Sequence, residues 1–212
     1  MVHQTPPGQL SSLAASDPAP VPPVEPAAAR VRLLHAAINH VTAHGLGELS
    51  LREVAAAIGT SHRMLIYHFG SKAGLLRAIV EEVERQQREF FARFIGDLSV
   101  SPMDAGLAFW QRVAHPSLAN NVRLFFELYA QALQARPGTE GFLDRVVDAW
   151  VEPLVDYGVR RGQSPAAARA DARLGVAVTR GLLLDLVATG DRVAVDAAYE
   201  RYLALYTPVL GR

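Results

Sequence analysis

The chain has 212 residues, enough for one large or two small domains, and half of them are apolar, so a sizeable buried core can form. Lysine plus arginine total 21 and aspartate plus glutamate total 21, so bulk charge gives no support for a nucleic-acid or membrane partner and any basic footprint must be local. With no cysteine, disulfides, thiolate zinc sites and thiol catalysis are excluded. No apolar run approaches the ~20 residues of a membrane span, and the first residues carry neither the basic nor the apolar region of a secretory signal, so a cytoplasmic protein without membrane association is the expectation.

Residues 1–26 contain seven prolines among small polar residues and read as a Pro-rich disordered tail. Residues 27–44 follow as a helix, with Val31, Leu34, Ile38 and Val41 on one stripe beside Ala37, ended by Gly45 and Gly47. His40 and His44 are four apart, a spacing that can chelate a metal, but no zinc motif accompanies them and no metal is expected.

Residues 49–72, LSLREVAAAIGTSHRMLIYHFGSK, carry the densest local signal. Ser50 is a candidate N-cap, and Leu51, Val54, Ala55 and Ile58 recur at helical spacing. Gly59 ends this short helix, and Ser61 caps a second one whose inner face holds Leu65 and Phe69. His62, Arg63, Met64, Ile66, Tyr67 and His68 are left to face outward. A short helix bearing so many hydrogen-bonding groups, set after a tight turn, has the pattern of a helix-turn-helix that enters a DNA major groove. Between residues 27 and 75 there are five basic side chains (Arg30, Arg32, Arg52, Arg63, Lys72) against Glu48 and Glu53, the right local sign for such a role.

Ser71 opens a long helix over about 72–95. Leu75, Leu76, Ile79, Val83, Phe90, Phe91 and Phe94 form its apolar face, and Glu81, Glu82, Glu84, Arg85, Arg88 and Glu89 its wet one. Five more helical segments follow, at about 102–114, 118–135, 139–161, 165–189 and 193–210, with Pro153 expected to kink the third. No segment alternates like a strand. The expected fold is all-α with about nine helices: a tail over 1–26, a three-helix DNA-binding unit over 27–72, and a helical ligand-binding and dimerisation bundle over 73–212.

The run Leu65-Ile66-Tyr67-His68-Phe69-Gly70-Ser71-Lys72 resembles the L-Y-x-H-F-x-S-K signature of the TetR family of transcriptional regulators, and residues 30–80 match its context. The resemblance implies that residues 62–67 are the recognition helix. It places Ser50, Ser61, Tyr67, His68 and Lys72 at phosphate-holding positions, and Arg52, His62, Arg63 and Met64 within reach of base edges. Arg63 stands where the family very often has Gly, and Ile66 where it very often has Tyr. Ile66 therefore either removes a phosphate contact or is buried against the long helix away from DNA.

The resemblance also implies that the C-terminal half binds a small molecule and dimerises. Phe109, Trp110, Phe125, Phe126, Tyr129, Trp150 and Tyr157 are the candidate cavity set, which suits a largely apolar or aromatic effector, with Arg123, Glu127 or Asp148 orienting it. Ala172, Gly175, Val176, Thr179 and Leu183 on one helix, and Val195, Ala198, Tyr199, Tyr202 and Tyr206 on the next, are candidate dimer stripes; Arg180 and Asp185 interrupt apolar surroundings and need partners. The expected function is a homodimeric repressor of a pseudo-palindromic operator in double-stranded DNA, released by the small molecule. A ligand-dependent activator is the alternative within the family and a helical enzyme the alternative outside it. No nucleophile–base pair or phosphate-cradling loop supports an enzyme, and no cofactor is implied.

Overall fold

The computed structural model describes residues 26–44 and 50–210, with side chains placed for 27–44 and 50–205. The tail before Pro26, the turn at Gly45 and Gly47, and the side chain of Tyr206 lie outside the described residues. Within them there is no strand. The chain forms α1 (Pro26–His44), α2 (Leu51–Ala57), α3 (His62–Phe69), α4 (Lys72–Gly96), α5 (Pro102–Val113), α6 (Ala119–Leu133), α7 (Phe142–Val146), α8 (Asp148–Arg160), α9 (Pro165–Thr189) and α10 (Arg192–Leu210), with a 3-10 turn at Pro116–Leu118.

Serines start five of these helices by closing a backbone N–H of the first turn: Ser50, Ser61, Ser71, Ser101 and Ser164 accept from Glu53, Met64, Gly74, Asp104 and Ala167. At α2 the cap is reciprocal, since the Glu53 carboxylate accepts from the Ser50 N–H at 2.6 Å. Gly59 supplies the left-handed φ of +70° that the turn after α2 requires.

Burial follows the apolar spacing with two informative departures. On α1 the buried stripe is Leu34, Ala37, Ile38 and Val41, while Val31 is 49% exposed. At 3.6 residues per turn Val31 lies about 70° from the centre of that stripe, at its margin. On α4, Glu84 is not on the wet face. It lies four residues after Val80 and seven before Phe91, on the inward side, where its carboxylate accepts from the Trp150 Nε1–H.

Two apolar clusters organise the molecule. One joins α1, α2, α3 and the first half of α4 to α6 and α7, through Leu65, Phe69, Ile79, Phe125, Leu128, Phe142 and Val146. The other joins α5, α8, α9 and α10. The first three helices therefore share a core with part of the C-terminal bundle. Hydrogen bonds reinforce that junction: Thr42 Oγ1 with Asn121 at 3.1 Å, and Asn120 Nδ2 to the Thr42 carbonyl at 3.1 Å.

Residues 139–161, expected as one helix, are two. The interruption falls at Val147, well before Pro153, which lies inside α8. The Arg180 guanidinium donates to the Val146 carbonyl. In an uninterrupted helix that carbonyl would accept from the Trp150 N–H, which donates instead to Val147 at 3.0 Å. An inserted side chain has taken one rung of the i→i−4 ladder, and the helix breaks there.

Candidate nucleic-acid interface and ligand cavity

α3 packs on the core through Leu65 and Phe69, and its remaining surface is open. His62, Arg63, Met64, Ile66 and Tyr67 are exposed, Tyr67 by 70%. Ile66 is 39% exposed, which removes the reading that buries it against α4. His68 is half-buried, edge-on to Tyr67 with ring centroids 4.9 Å apart. Ser50 and Ser61 stand exposed at the starts of α2 and α3, Arg52 is exposed on the first turn of α2, and Lys72 is the half-buried first residue of α4. Each capping hydroxyl accepts a backbone N–H at 3.2–3.3 Å, which leaves its own O–H able to donate to a phosphate. The nine expected residues therefore surround one short helix.

His40 and His44 stack with ring centroids 4.8 Å apart, and no cluster of three potential metal-ligating side chains occurs among the described residues.

A cavity of about 190 Å³ lies between α4, α5, α6, α8, α9 and α10. Of the expected aromatic set, Phe109, Phe125, Phe126, Trp150 and Tyr157 line it. Trp110 and Tyr129 are not among its lining residues. Trp110 stacks on Tyr199 at 4.4 Å and donates to Asp196 at 2.7 Å, tying α5 to α10. Tyr129 packs against Phe142, beneath the Arg180 guanidinium.

The polar residues of the cavity differ from those expected. Arg123, Glu127 and Asp148 are turned away from it, engaged with Asn120, Gln131 and Arg173. The cavity instead holds Glu84 and Arg180, with Gln163 and Asp171 at its α8–α9 end. The Glu84 side chain retains 21% of its surface accessible, and as a cavity-lining group it is otherwise enclosed by protein. Burial pushes its carboxyl above the usual range, and the Trp150 N–H and the charges of Arg180 and Arg88 pull the other way without reversing the shift. Arg180 lies over Phe125 at 5.2 Å, and its enclosure lowers its affinity for a proton. Tyr199, buried beside Thr179, is pushed up to about 12. Glu84 and Arg180 are both legible in the sequence: each continues an inward line at helical spacing, Val80–Glu84–Gln87 on α4 and Val176–Arg180–Leu183 on α9.

The expected dimer stripes also face inward. Ala172, Val176 and Thr179 are buried, and Gly175 and Leu183 line the cavity. On α10, Val195 and Tyr199 are buried and Tyr202 lines the cavity, whereas Ala198 is exposed. The reason is that α9 packs lengthwise on α8, which takes up its small-residue face. Asp185 is on the exposed side, away from the cavity.

An exposed recognition helix set by two capped turns, carried on an all-α body with an internal cavity, defines a helix-turn-helix DNA-binding protein rather than an enzyme. Residues 33–79 match the family described as bacterial regulatory proteins, tetR family, so the helix-turn-helix unit is of that type and the protein is a transcriptional regulator. It is 42% identical over 60 residues to the HTH-type transcriptional regulatory protein RaaS of Mycobacterium tuberculosis, a match spanning 28% of each protein. It is 29% identical over 173 residues to the HTH-type transcriptional regulator BetI of Pseudomonas paraeruginosa, covering 80% of this chain and 86% of that one. Among solved structures it resembles the multidrug binding protein EbrR, complexed with imidazole, with a TM-score of 0.53 and 28% identity over 85% of this chain and 90% of that one. No helix among the described residues is long and apolar enough to cross a membrane.

Proposed function

We propose that this protein is a cytoplasmic homodimeric repressor that holds a pseudo-palindromic operator and is released by a small molecule in the α4–α10 cavity. The observation that carries this reading is the continuity of the first apolar cluster: Leu65 and Phe69 of α3 share it with Phe125, which lines the cavity. A displacement at the cavity wall is thereby transmitted to the recognition helix through packed side chains, which do not deform independently.

A second link runs through α7. Arg180, in the cavity, holds the carbonyl that ends α7. Just before α7, Gly138 lies so close to Ala73 that a Cβ on it would come within 2.6 Å of the Ala73 Cβ, and Arg77 donates to the Glu140 carbonyl at 3.1 Å. Ala73 and Arg77 belong to the first turns of α4, directly after α3. A ligand that crowds the Arg180 guanidinium away from its place over Phe125 frees the end of α7 and shifts the start of α4. It acts as a releasing ligand when it binds the shifted state more tightly than the DNA-competent one.

Within this reading, Tyr67, His68, Lys72, Ser50 and Ser61 hold phosphates, and Arg52, His62, Arg63 and Met64 face bases. The dimer forms on the outward side of α9 and α10, where Leu174, Leu184, Val193 and Leu205 are 37%, 49%, 82% and 55% exposed. The α9 part of that face is otherwise small, with Ala177 and Gly181 exposed between Leu174 and Leu184. A second copy covering this face sets two recognition helices about 34–36 Å apart.

Selection of bound sequences from random duplex DNA tests the reading. The expected product is an inverted repeat with half-sites about one helical turn apart; failure to enrich any sequence at low salt overturns it. Leu184→Glu places a carboxylate on the proposed dimer face, and should give a monomer by sedimentation with operator affinity reduced at least about 100-fold. A Leu184→Glu chain that stays dimeric moves the interface elsewhere. Promotion of transcription by the bound protein, rather than repression, assigns it as an activator.

A further inference from the structure

Within the proposed ligand reading, we infer that the cavity takes an uncharged, ring-sized aromatic molecule whose single polar group both accepts from Tyr157 and donates to Gln163. Tyr157 is 5% exposed and lines the cavity, yet its hydroxyl has no hydrogen-bond partner in the protein. A buried tyrosine hydroxyl ordinarily has one. The Gln163 carbonyl oxygen, packed on Gly158 next to Tyr157 in the chain, is also buried and unpartnered, and Gln163 lines the same cavity.

The orientation of that amide is not arbitrary. Gln163 Nε2 donates to the Asp171 carboxylate at 2.7 Å, and a carboxylate accepts, so the amide nitrogen must face Asp171 and the oxygen must face away. The oxygen rests over the α8 backbone at Gly158, where a Cβ would lie 2.3 Å from it. Only glycine leaves that space. Arg161 closes this end, with its guanidinium 4.9 Å from the Tyr157 ring centroid and donating to the Leu98 carbonyl at 3.1 Å. The result is a built pair, one O–H donor and one carbonyl acceptor, with the unpartnered Arg161 Nε–H behind the Tyr157 ring, in an otherwise largely apolar cavity.

Size and charge fix the rest. The volume of about 190 Å³ exceeds by little the roughly 150 Å³ that accommodates a benzene molecule, so one ring with one substituent fits. Phe91, Phe109 and Trp150 form the ring-binding wall, with successive centroids 4.5 and 5.2 Å apart. Glu84 and Arg180 oppose each other in sign, and Asp171 already takes the Gln163 amide. The Arg161 guanidinium is not a lining group and is held by the Leu98 and Val100 carbonyls, so a charged ligand would lose its hydration without a lining counter-charge free to meet it.

Calorimetric titration of the full chain with four probes of one size tests this: benzamide, ethylbenzene, benzoate and benzylammonium. Benzamide should bind most tightly, with each of the others at least about fivefold weaker. Tyr157→Phe, which removes a single oxygen, should weaken benzamide about five- to tenfold and leave ethylbenzene unchanged, as expected for one hydrogen bond. Gly158→Ala, which displaces the amide oxygen, should do the same, and circular dichroism reports whether each variant is folded. Ethylbenzene binding as tightly as benzamide, or benzamide binding unaffected by Tyr157→Phe, overturns the inference. So does preferential binding of benzylammonium or benzoate, or the absence of binding by all four probes. Benzamide binding that leaves the operator complex intact counts against ligand release and leaves the chemistry of the cavity standing.

Discussion

The recognition end of this molecule turns its polar side chains outward, and the cavity end turns them inward. On α3 the core takes Leu65 and Phe69, His68 is half-buried, and His62, Arg63, Met64, Ile66 and Tyr67 face solvent. Around the cavity, Glu84, Arg180 and Gln163 are largely enclosed by protein and each is tied to another element: Glu84 to Trp150, Arg180 to the Val146 carbonyl, Gln163 to Asp171. An exposed side chain can be exchanged with little effect on folding, because water replaces whatever it touched. An enclosed one cannot, because its partner loses a hydrogen bond that water is not present to restore. DNA specificity and fold stability should therefore be separable in this protein, and ligand response and fold stability should not.

The largest expected effect tests the inward half of that contrast. Arg180→Leu removes the donor to the Val146 carbonyl and a cation that faces Glu84. It should lower unfolding stability by about 2–4 kcal/mol in urea titration, and it should abolish ligand-dependent release even where DNA binding survives. Arg180→Lys should recover part of the stability, since a flexible ammonium keeps the charge without the planar fork. An Arg180→Leu variant of unchanged stability that still responds to ligand would show that the cavity charges are incidental to both.

How far each half can be read in the sequence follows from the same contrast. The caps at Ser50, Ser61 and Ser71, the turn at Gly59 and the outward set on α3 are all decided within a few residues, and sequence spacing finds them. The cavity depends on pairs far apart in the chain, such as Glu84 with Trp150 and Arg180 with Val146, and spacing within one helix cannot say which partner an inward face will meet. Five of the seven aromatics fall in the cavity because large rings at inward positions are enclosed wherever they meet. Its polar residues escape such a reading when charge is equated with exposure. The stripes on α9 and α10 are packing surfaces, as their spacing implies, but the partner is α8 and the cavity wall within the same chain. The break at Val147 has no local signal at all: the side chain that causes it is more than thirty residues further along the chain.

The outward half of the contrast predicts a specificity change without a stability change. Arg63 is exposed on the second residue of α3, where its guanidinium can pair with guanine O6 and N7. Arg63→Ala should cost ~1–3 kcal/mol in binding and relax preference at one operator position, with the melting temperature unaltered. Lost affinity that is equal across all sequences would place Arg63 on a phosphate instead, and a lowered melting temperature would break the separation altogether.

The smallest expected effect concerns Glu84, where the influences on the carboxyl oppose one another and burial prevails. Burial raises its carboxyl, while the Trp150 N–H, Arg180 and Arg88 favour the charge. The folded-state pKa therefore lies above the ordinary carboxylate value of 4.5, so the folded chain binds this proton more tightly than the unfolded chain does. Ionisation of Glu84 thus subtracts stability as pH rises from 4.5 through the folded pKa, and subtracts nothing below 4.5. Glu84→Gln keeps an oxygen for the Trp150 N–H and carries no charge at any pH. It should melt slightly above the wild type at neutral pH, and the two should converge as pH falls toward 4.5, other titrating groups being common to both. A Glu84→Gln variant that melts below the wild type at neutral pH would mean that attraction to Arg180 and Arg88 outweighs burial. The inward charges would then be a stabilising network that the ligand must break, rather than a cost the fold bears in order to hold a responsive cavity.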